Sequence, residues 1–164
     1  MARERKRKAA LPRLKLLLAA IVLFASCDST VYHRFAPLES NGWHAGDTLS
    51  FHYEGNGAVD AGVAVAVQLR YAAGYKYKNL YARVETLSAD SCVLSVDTVC
   101  CAIYDDDGRR MGSTAGAMYQ NGSEKLLLPA SCADTLLFKV SHIMDDEVLR
   151  GIFDVGIELS AARD

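Results

Sequence analysis

Residues 63–71 alternate between two kinds of side chain. One set is large and apolar and falls on one face of an extended strand: Val63, Val65, Val67, Leu69 and Tyr71. A period of two is typical of a β-strand that turns one face toward a hydrophobic core. The opposite face carries the small residues Ala64 and Ala66, which indicates that this face is covered as well.

Several other segments share the β-branched, aromatic and alternating composition, and turn signals such as Asp107-Gly108 and Asn121-Gly122 separate them. These segments are 48–53, 80–87, 93–104, 126–129, 135–143 and 152–159. Because no amphipathic helical pattern extends beyond a turn or two, we expect helices to be minor. The pattern predicts an all-β fold consisting of a single antiparallel β-sandwich, either jelly-roll or immunoglobulin-like.

The N-terminal segment has the composition of an export signal. Residues 1–26 contain seven Lys or Arg and one acidic residue, and the apolar run 16–25 is too short to span a membrane. Phe24-Ala25-Ser26-Cys27 resembles a bacterial lipobox, which predicts lipidation of Cys27 and membrane attachment through the lipid. A signal cut near Ser26 that leaves Cys27 free is the alternative.

These features divide the chain into three parts. Residues 1–26 form a lipoprotein signal peptide, residues 27–46 a lipidated cysteine with a tether and a connecting loop, and residues 47–164 the β-sandwich domain. Beyond residue 26 the chain has 11 basic and 19 acidic side chains, and it shows no basic face. We therefore do not expect nucleic acid to be a partner.

The remaining cysteines suit an exported protein, in which disulfides are permitted. They are Cys92, Cys100, Cys101 and Cys132. The neighbours Cys100 and Cys101 point to opposite faces if they lie on a strand, so at most one of them shares a face with Cys92. One disulfide and free buried thiols both remain open, whereas zinc is disfavoured because no CxxC or HxxxH spacing occurs.

Sequence motifs for catalysis are absent. The chain has no GxSxG, Walker, GxGxxG or HExxH motif, and its four histidines are scattered. We expect no enzyme activity, no catalytic residue, no cofactor and no metal site. The run Asp105-Asp106-Asp107 predicts a turn before Gly108, and calcium binding by these carboxylates is the less favoured alternative.

A set of aromatic residues is the candidate interaction surface. It comprises Trp43, Tyr75, Tyr77 and Tyr81, with lysines interleaved among the tyrosines. Such residues suit an amphipathic docking edge. Packing within the core or under loops is the favoured interpretation of the same side chains, and a buried Trp43 is expected to fold the tether back onto the sandwich.

Several ordered segments together resemble one family. They are Cys27-Asp28-Ser29, Asn41-Gly42-Trp43-His44 with Asp47, residues 75–81 (YKYKNLY), Asp107-Gly108 with Gly112, and residues 149–157 (LRGIFDVGI). This set resembles the gliding-motility lipoprotein GldH family of the Bacteroidota. The resemblance implies a membrane-anchored, non-enzymatic accessory of the gliding and type IX secretion-associated envelope machinery, with protein components of that machinery as partners.

Only one acidic residue, Asp28, directly follows Cys27. Surface export in this phylum is associated with acidic runs at that place, so we expect the periplasmic face of the outer membrane. The alternative function is a periplasmic or surface lipoprotein that binds a glycan or peptide along its aromatic residues.

Overall fold

The computed structural model describes residues 30–55, 62–128 and 135–162, and no helix occurs among them. The strands, in chain order, are β1 (Thr30–Pro37), β2 (Trp43–His44), β3 (Leu49–Glu54), β4 (Val63–Tyr71), β5 (Asn79–Ser88), β6 (Val93–Ala102), β7 (Ser113–Ala115), β8 (Met118–Gly122), β9 (Leu126–Leu128), β10 (Thr135–His142), β11 (Val148–Leu149) and β12 (Ile152–Ala161). The predicted all-β class is confirmed.

The strands form two antiparallel sheets that pack as a sandwich. One sheet has the order β1-β12-β4-β8-β7, with β9 also paired to β4, and the other has the order β3-β10-β5-β6. β8 and β9 both pair with β4 and count as one broken strand. The eight principal strands in chain order are then β1, β3, β4, β5, β6, β8 with β9, β10 and β12. The first, eighth, third and sixth of these share one sheet, and the second, seventh, fourth and fifth share the other. This connectivity is that of a jelly roll and not of an immunoglobulin domain.

The core lies between the two sheets. The predicted inward face of β4, from Val63 to Tyr71, is buried, and Leu80 and Phe138 of the opposite sheet belong to the same cluster. Ala64 and Ala66 on the outer face are buried too, as their small size indicated. Polar side chains pair across this outer face, with Gln68 donating a hydrogen bond to Glu158 at 2.9 Å.

The segment expected to be a tether and connecting loop contributes a strand instead. Residues 30–37 pair along their length with β12 as the edge strand β1. The side chain of Phe35 packs over Gly156, where a Cβ atom would lie 2.7 Å from the Phe35 ring, and Arg70 stacks on the same ring at 3.8 Å. The domain therefore includes residues from Thr30 onward, and the predicted boundary at residue 47 is wrong.

The sandwich has two distinct ends. β1 begins at one end, beside the end of β12 and the beginning of β4, because Thr30 pairs with Ser160 and Ala161 pairs with Val63. We call this the Thr30 end. At the opposite end, which we call the Trp43 end, β2 and β11 form a small additional sheet.

The predicted signal peptide (1–26), Cys27 and Cys132 lie outside the described residues. Among residues 30–55, 62–128 and 135–162, no helix is long and apolar enough to cross a membrane.

Candidate functional site at the Trp43 end

The segment around Trp43 is held against the sandwich by close backbone contact. Gly42 has a φ of +115°, and a Cβ atom there would lie 2.6 Å from the carbonyl oxygen of Leu149. This approach allows Trp43 to pair with Leu149 in the small sheet. The Trp43 ring is fully buried, and its Nε1–H donates to the carbonyl oxygen of Asp47 at 3.3 Å. The expected packing of Trp43 is confirmed, and its place in an exposed surface is wrong.

His142, at the end of β10, lies beneath Trp43. The two ring centroids are 5.3 Å apart in an edge-to-face arrangement, and His142 is only 4% exposed. Burial lowers the pKa of His142, because a buried imidazolium loses its hydration. Neither ring nitrogen has a hydrogen-bond partner among the described residues. His142 is thus a packing residue whose charged form is disfavoured by burial.

The predicted tyrosine surface is only partly exposed. Tyr75 is buried, and burial raises the pKa of its hydroxyl. Tyr77 is half-buried beside Tyr75, with ring centroids 5.9 Å apart, and its hydroxyl donates to Asp146 at 2.8 Å. Tyr81 is 42% exposed. The prediction is therefore wrong for Tyr75, because its ring fills the core between the connections of the Trp43 end.

Charged side chains at this end are tied to near neighbours. Asp146 accepts hydrogen bonds from Tyr77 and from Lys76, the latter at 2.5 Å, and the Lys76 contact holds the pKa of Asp146 below its usual range. Lys78 bonds to Asp106 and likewise lowers the pKa of that carboxyl. Such exposed pairs stabilise a fold only slightly.

Tyr104 holds the backbone of residues 73–75 in place through hydrogen bonds. The hydroxyl of Tyr104 lies 3.1 Å from the carbonyl oxygens of both Ala73 and Tyr75. Arg110 also donates to the Ala73 oxygen at 2.9 Å and stacks on Tyr119 at 3.9 Å. The connections 71–79 and 102–113 therefore form one packed unit.

The predicted turn at residues 105–108 is present. One carboxylate oxygen of Asp105 accepts hydrogen bonds from the backbone N–H groups of Asp107 and Arg109, at 3.0 and 2.7 Å. Asp106 bonds to Lys78, and the Asp107 side chain lies 3.1 Å from that of Arg109. The three carboxylates thus have separate partners. Within the described ranges no group of three His, Cys, Asp or Glu side chains is placed to hold a metal ion.

The described cysteines are free thiols. Cys100 is exposed and Cys101 is buried on the opposite face of β6, as the alternation predicts. Cys92 precedes the same strand, and eight residues of extended chain span about 26 Å, far beyond the reach of a disulfide. Pairing of Cys92 with Cys100 or Cys101 is therefore excluded in this structure, while Cys132 lies outside the described residues.

A cleft that no sequence motif indicated opens along one side of the sandwich. Its volume is about 560 Å³, and residues 98–100, Ala102, Met111 and residues 121–126 line it. It lies between β6, at the edge of one sheet, and the β8–β9 connection of the other. The sequence shows only that apolar residues flank this edge, and in the structure Val93 and Val96 of β6 are 59% and 50% exposed.

Comparison with solved structures gives only distant similarity. The infectious bursal disease virus Gx strain structure shares 12% identity with a TM-score of 0.37, covering 82% of this chain and 34% of that one. The VP2 subviral particle of the same virus shares 13% identity with a TM-score of 0.32, covering 82% of this chain and 34% of that one. A CocE/NonD family hydrolase from Staphylococcus aureus shares 8% identity with a TM-score of 0.33, covering 82% of this chain and 31% of that one. The chain spans about a third of these chains, and at such TM-scores the likeness carries no argument.

No curated protein matches the sequence. The profile described as GldH lipoprotein matches residues 30–159. This range begins with β1 and ends within β12, so it includes both sheets and the Trp43 end. The resemblance noted in the sequence is confirmed, and the chain belongs to the GldH lipoprotein family.

Proposed function

We propose that this protein is anchored to the outer membrane through a lipid on Cys27 and serves, on the periplasmic face, as a non-enzymatic accessory of the gliding and type IX secretion-associated machinery. The observation that carries the proposal is the family match, which begins three residues after Cys27 and continues almost to the end of the sandwich. A lipid-anchored envelope protein follows from membership of this family. The membrane face, the machinery and the absence of catalysis are the proposed part.

The arrangement of titratable groups supports a non-enzymatic role. Asp146 and Asp106 have lysine partners, and the Asp105 carboxylate holds its own turn. His142 is buried against Trp43 with no nucleophile bonded to it. A general base must reach the proton that it abstracts, and these groups are committed to packing or local pairing.

A ligand-binding lipoprotein is the second candidate, and the cleft beside β6 is the observation that favours it. None of the lining residues is aromatic, whereas glycan platforms use exposed rings. Trp43 and Tyr75, which the sequence offered for that purpose, are buried. Thermal unfolding in the presence of sugars, peptides, EDTA and Ca²⁺ distinguishes this candidate, because a bound ligand raises the unfolding temperature.

The test of the anchor uses metabolic labelling with an alkyne fatty acid in the native host. We expect label on the wild-type protein and none on Cys27→Ala. Label retained on Cys27→Ala would contradict lipidation at this residue. Protease treatment of intact and permeabilised cells tests the membrane face, and digestion in intact cells would contradict the periplasmic assignment.

The test of the partners is crosslinking of the full lipoprotein in its native envelope. A photoreactive residue at Tyr81, which is exposed on the interior strand β5, is compared with one at Ser50 on the edge strand β3 of the same sheet. Recovery of gliding or secretion components supports the proposal, and recovery of no envelope protein from either position would overturn it.

A further inference from the structure

The strand β6 is an open edge of its sheet. It is ten residues long, and among the described residues it pairs only with β5. In an antiparallel pair, every second residue directs its N–H and C=O groups away from the neighbouring strand. The exception at the end of β6 is the carbonyl oxygen of Ala102, which accepts a hydrogen bond from the Asn121 side chain at 2.5 Å. The rest of the edge offers a row of backbone groups for pairing.

The other sheet edges carry features that discourage pairing. β1 contains Arg34 and ends at Pro37, β3 has six residues, and β7 and β9 have three residues each. Natural proteins protect edges with charged residues, proline or short strands. β6 has no proline, lysine or arginine along its length. Asp97 is its single charged residue, so β6 is the longest and least protected edge of the described sandwich.

The side chains near this edge favour an extended, partly apolar partner segment. Val93 and Val96 are largely exposed, and Val99 lies in the wall of the cleft. The cleft of about 560 Å³ provides room for side chains that point from an added strand toward the gap between the sheets. Added strands take affinity from main-chain hydrogen bonds and specificity from pockets for alternate side chains.

The charge at this edge is negative and unpaired. Asp97 on β6 and Glu124 in the cleft wall form no ion pair with any described side chain. The nearby Lys125 is already engaged, since its Nζ donates to Ser160 at 2.9 Å. A lysine or arginine on the incoming segment would complement these carboxylates.

A second copy of this chain fits the edge poorly. β6 runs from the Thr30 end to the Trp43 end, because Val93 pairs beside the end of β5 and Ala102 beside its beginning. Antiparallel pairing of two β6 strands would therefore point the two Thr30 ends in opposite directions. Two copies anchored at Cys27 in one membrane would not adopt that arrangement, and a register centred on β6 would also bring their Asp97 carboxylates together.

We propose that the free edge of β6 receives an extended strand of a partner protein, with alternate apolar side chains and a Lys or Arg near Asp97 and Glu124. This inference rests on the proposed function as a docking protein of the envelope and names the surface and the class of segment that docks. The added strand extends the β3-β10-β5-β6 sheet by one strand.

The test uses the mature lipoprotein in detergent micelles and three synthetic peptides of about ten residues. All alternate Val or Thr with polar residues. The first has a central Lys, the second has Glu at that place, and the third is the Lys peptide with N-methylated backbone amides. Binding is measured by fluorescence anisotropy, and hydrogen exchange reports which backbone amides become protected.

We expect the Lys peptide to protect β6 amides and to bind about tenfold more tightly than the Glu peptide. The N-methylated peptide should not bind, because it cannot donate main-chain hydrogen bonds. Asp97→Asn should remove most of the preference for Lys, whereas Glu54→Gln, a matched change on the edge strand β3, should leave it unchanged.

Three outcomes would overturn the inference: no protection of β6 by any peptide, equal binding of the N-methylated peptide, or protection of β6 by self-association without peptide. None of these outcomes bears on the proposed function, which is tested separately by fatty-acid labelling at Cys27 and by crosslinking to the envelope machinery. Conversely, if the wild-type protein is not labelled or not crosslinked but still binds the Lys peptide, only the proposed function is contradicted.

Discussion

At the scale of single residues, Gly42 determines whether the Trp43 segment can reach the sandwich. Its positive φ and the 2.6 Å approach of its missing Cβ to the Leu149 oxygen both exclude a side chain. We expect Gly42→Ala to lower the free energy of unfolding by about 2–3 kcal/mol, measured by urea denaturation. Gly46→Ala is the control, because nothing lies within 4 Å of a Cβ there. Equal effects of the two substitutions would contradict this account.

His142 makes a second prediction at the same scale. Burial lowers its pKa in the folded protein, so below the ordinary value of about 6.5 the unfolded chain binds more protons than the folded one. The free energy of unfolding should therefore fall as the pH is lowered from about 7.5 to about 5.5. The backbone of Trp43 and the carboxylates Asp146 and Asp47 oppose this shift of the pKa and His44 adds to it, but the burial effect is the largest.

The measurement compares urea denaturation of the wild type and His142→Leu across this pH range. We expect the pH dependence to be weaker in the variant. His52→Leu is the matched control, since His52 is exposed on β3. If the free energy of unfolding of His142→Leu depends on pH as steeply as that of the wild type, His142 is not the source of this pH dependence.

At the scale of elements, β6 separates its two adjacent cysteines onto opposite faces. Cys101 is buried, and burial raises the pKa of its thiol to about 12, whereas Cys100 is exposed. Because the thiolate is the reactive species, iodoacetamide at about pH 8 should modify Cys101 at least about a hundredfold more slowly than Cys100. Peptide mass mapping of the folded protein measures the two rates. Similar rates in the folded protein, or a Cys92–Cys100 disulfide, would contradict the observed strand.

At the scale of the whole molecule, the short link between Cys27 and β1 determines the orientation. Three residues of chain reach at most about 11 Å, so the proposed lipid on Cys27 would hold the Thr30 end at the membrane. The nine residues of β4 span about 30 Å, so in an upright orientation the Trp43 end would lie well away from the lipid surface. Of the segments shared with the family, residues 41–44, residues 75–81, Asp107-Gly108 and the beginning of 149–157 lie toward the Trp43 end, which this orientation would point away from the anchor.

Spin labels test this orientation in lipid nanodiscs. A label at Leu127, beside Ala64 near the Thr30 end, should be strongly relaxed by paramagnetic lipids, and a label at Lys76 should not. A label at Phe153, exposed on β12 near the Trp43 end, is a further control that should behave like Lys76. Equal relaxation at Leu127 and Lys76 would contradict an end-on orientation.

The sequence by itself determined the class of the fold, because each buried strand had to repeat apolar residues with a period of two. It also indicated the family, the turn at residues 105–108 and the opposite faces of Cys100 and Cys101. It could not show β1, whose residues 30–37 mix His, Arg and Pro as edge strands do, since edge strands bury little. Nor could it separate a jelly roll from an immunoglobulin fold, because the order of strands within a sheet depends on contacts between distant segments. Only the tertiary structure decided that Trp43 and Tyr75 are buried and that the edge of β6 is open, because burial and pairing depend on which strands come to lie beside one another.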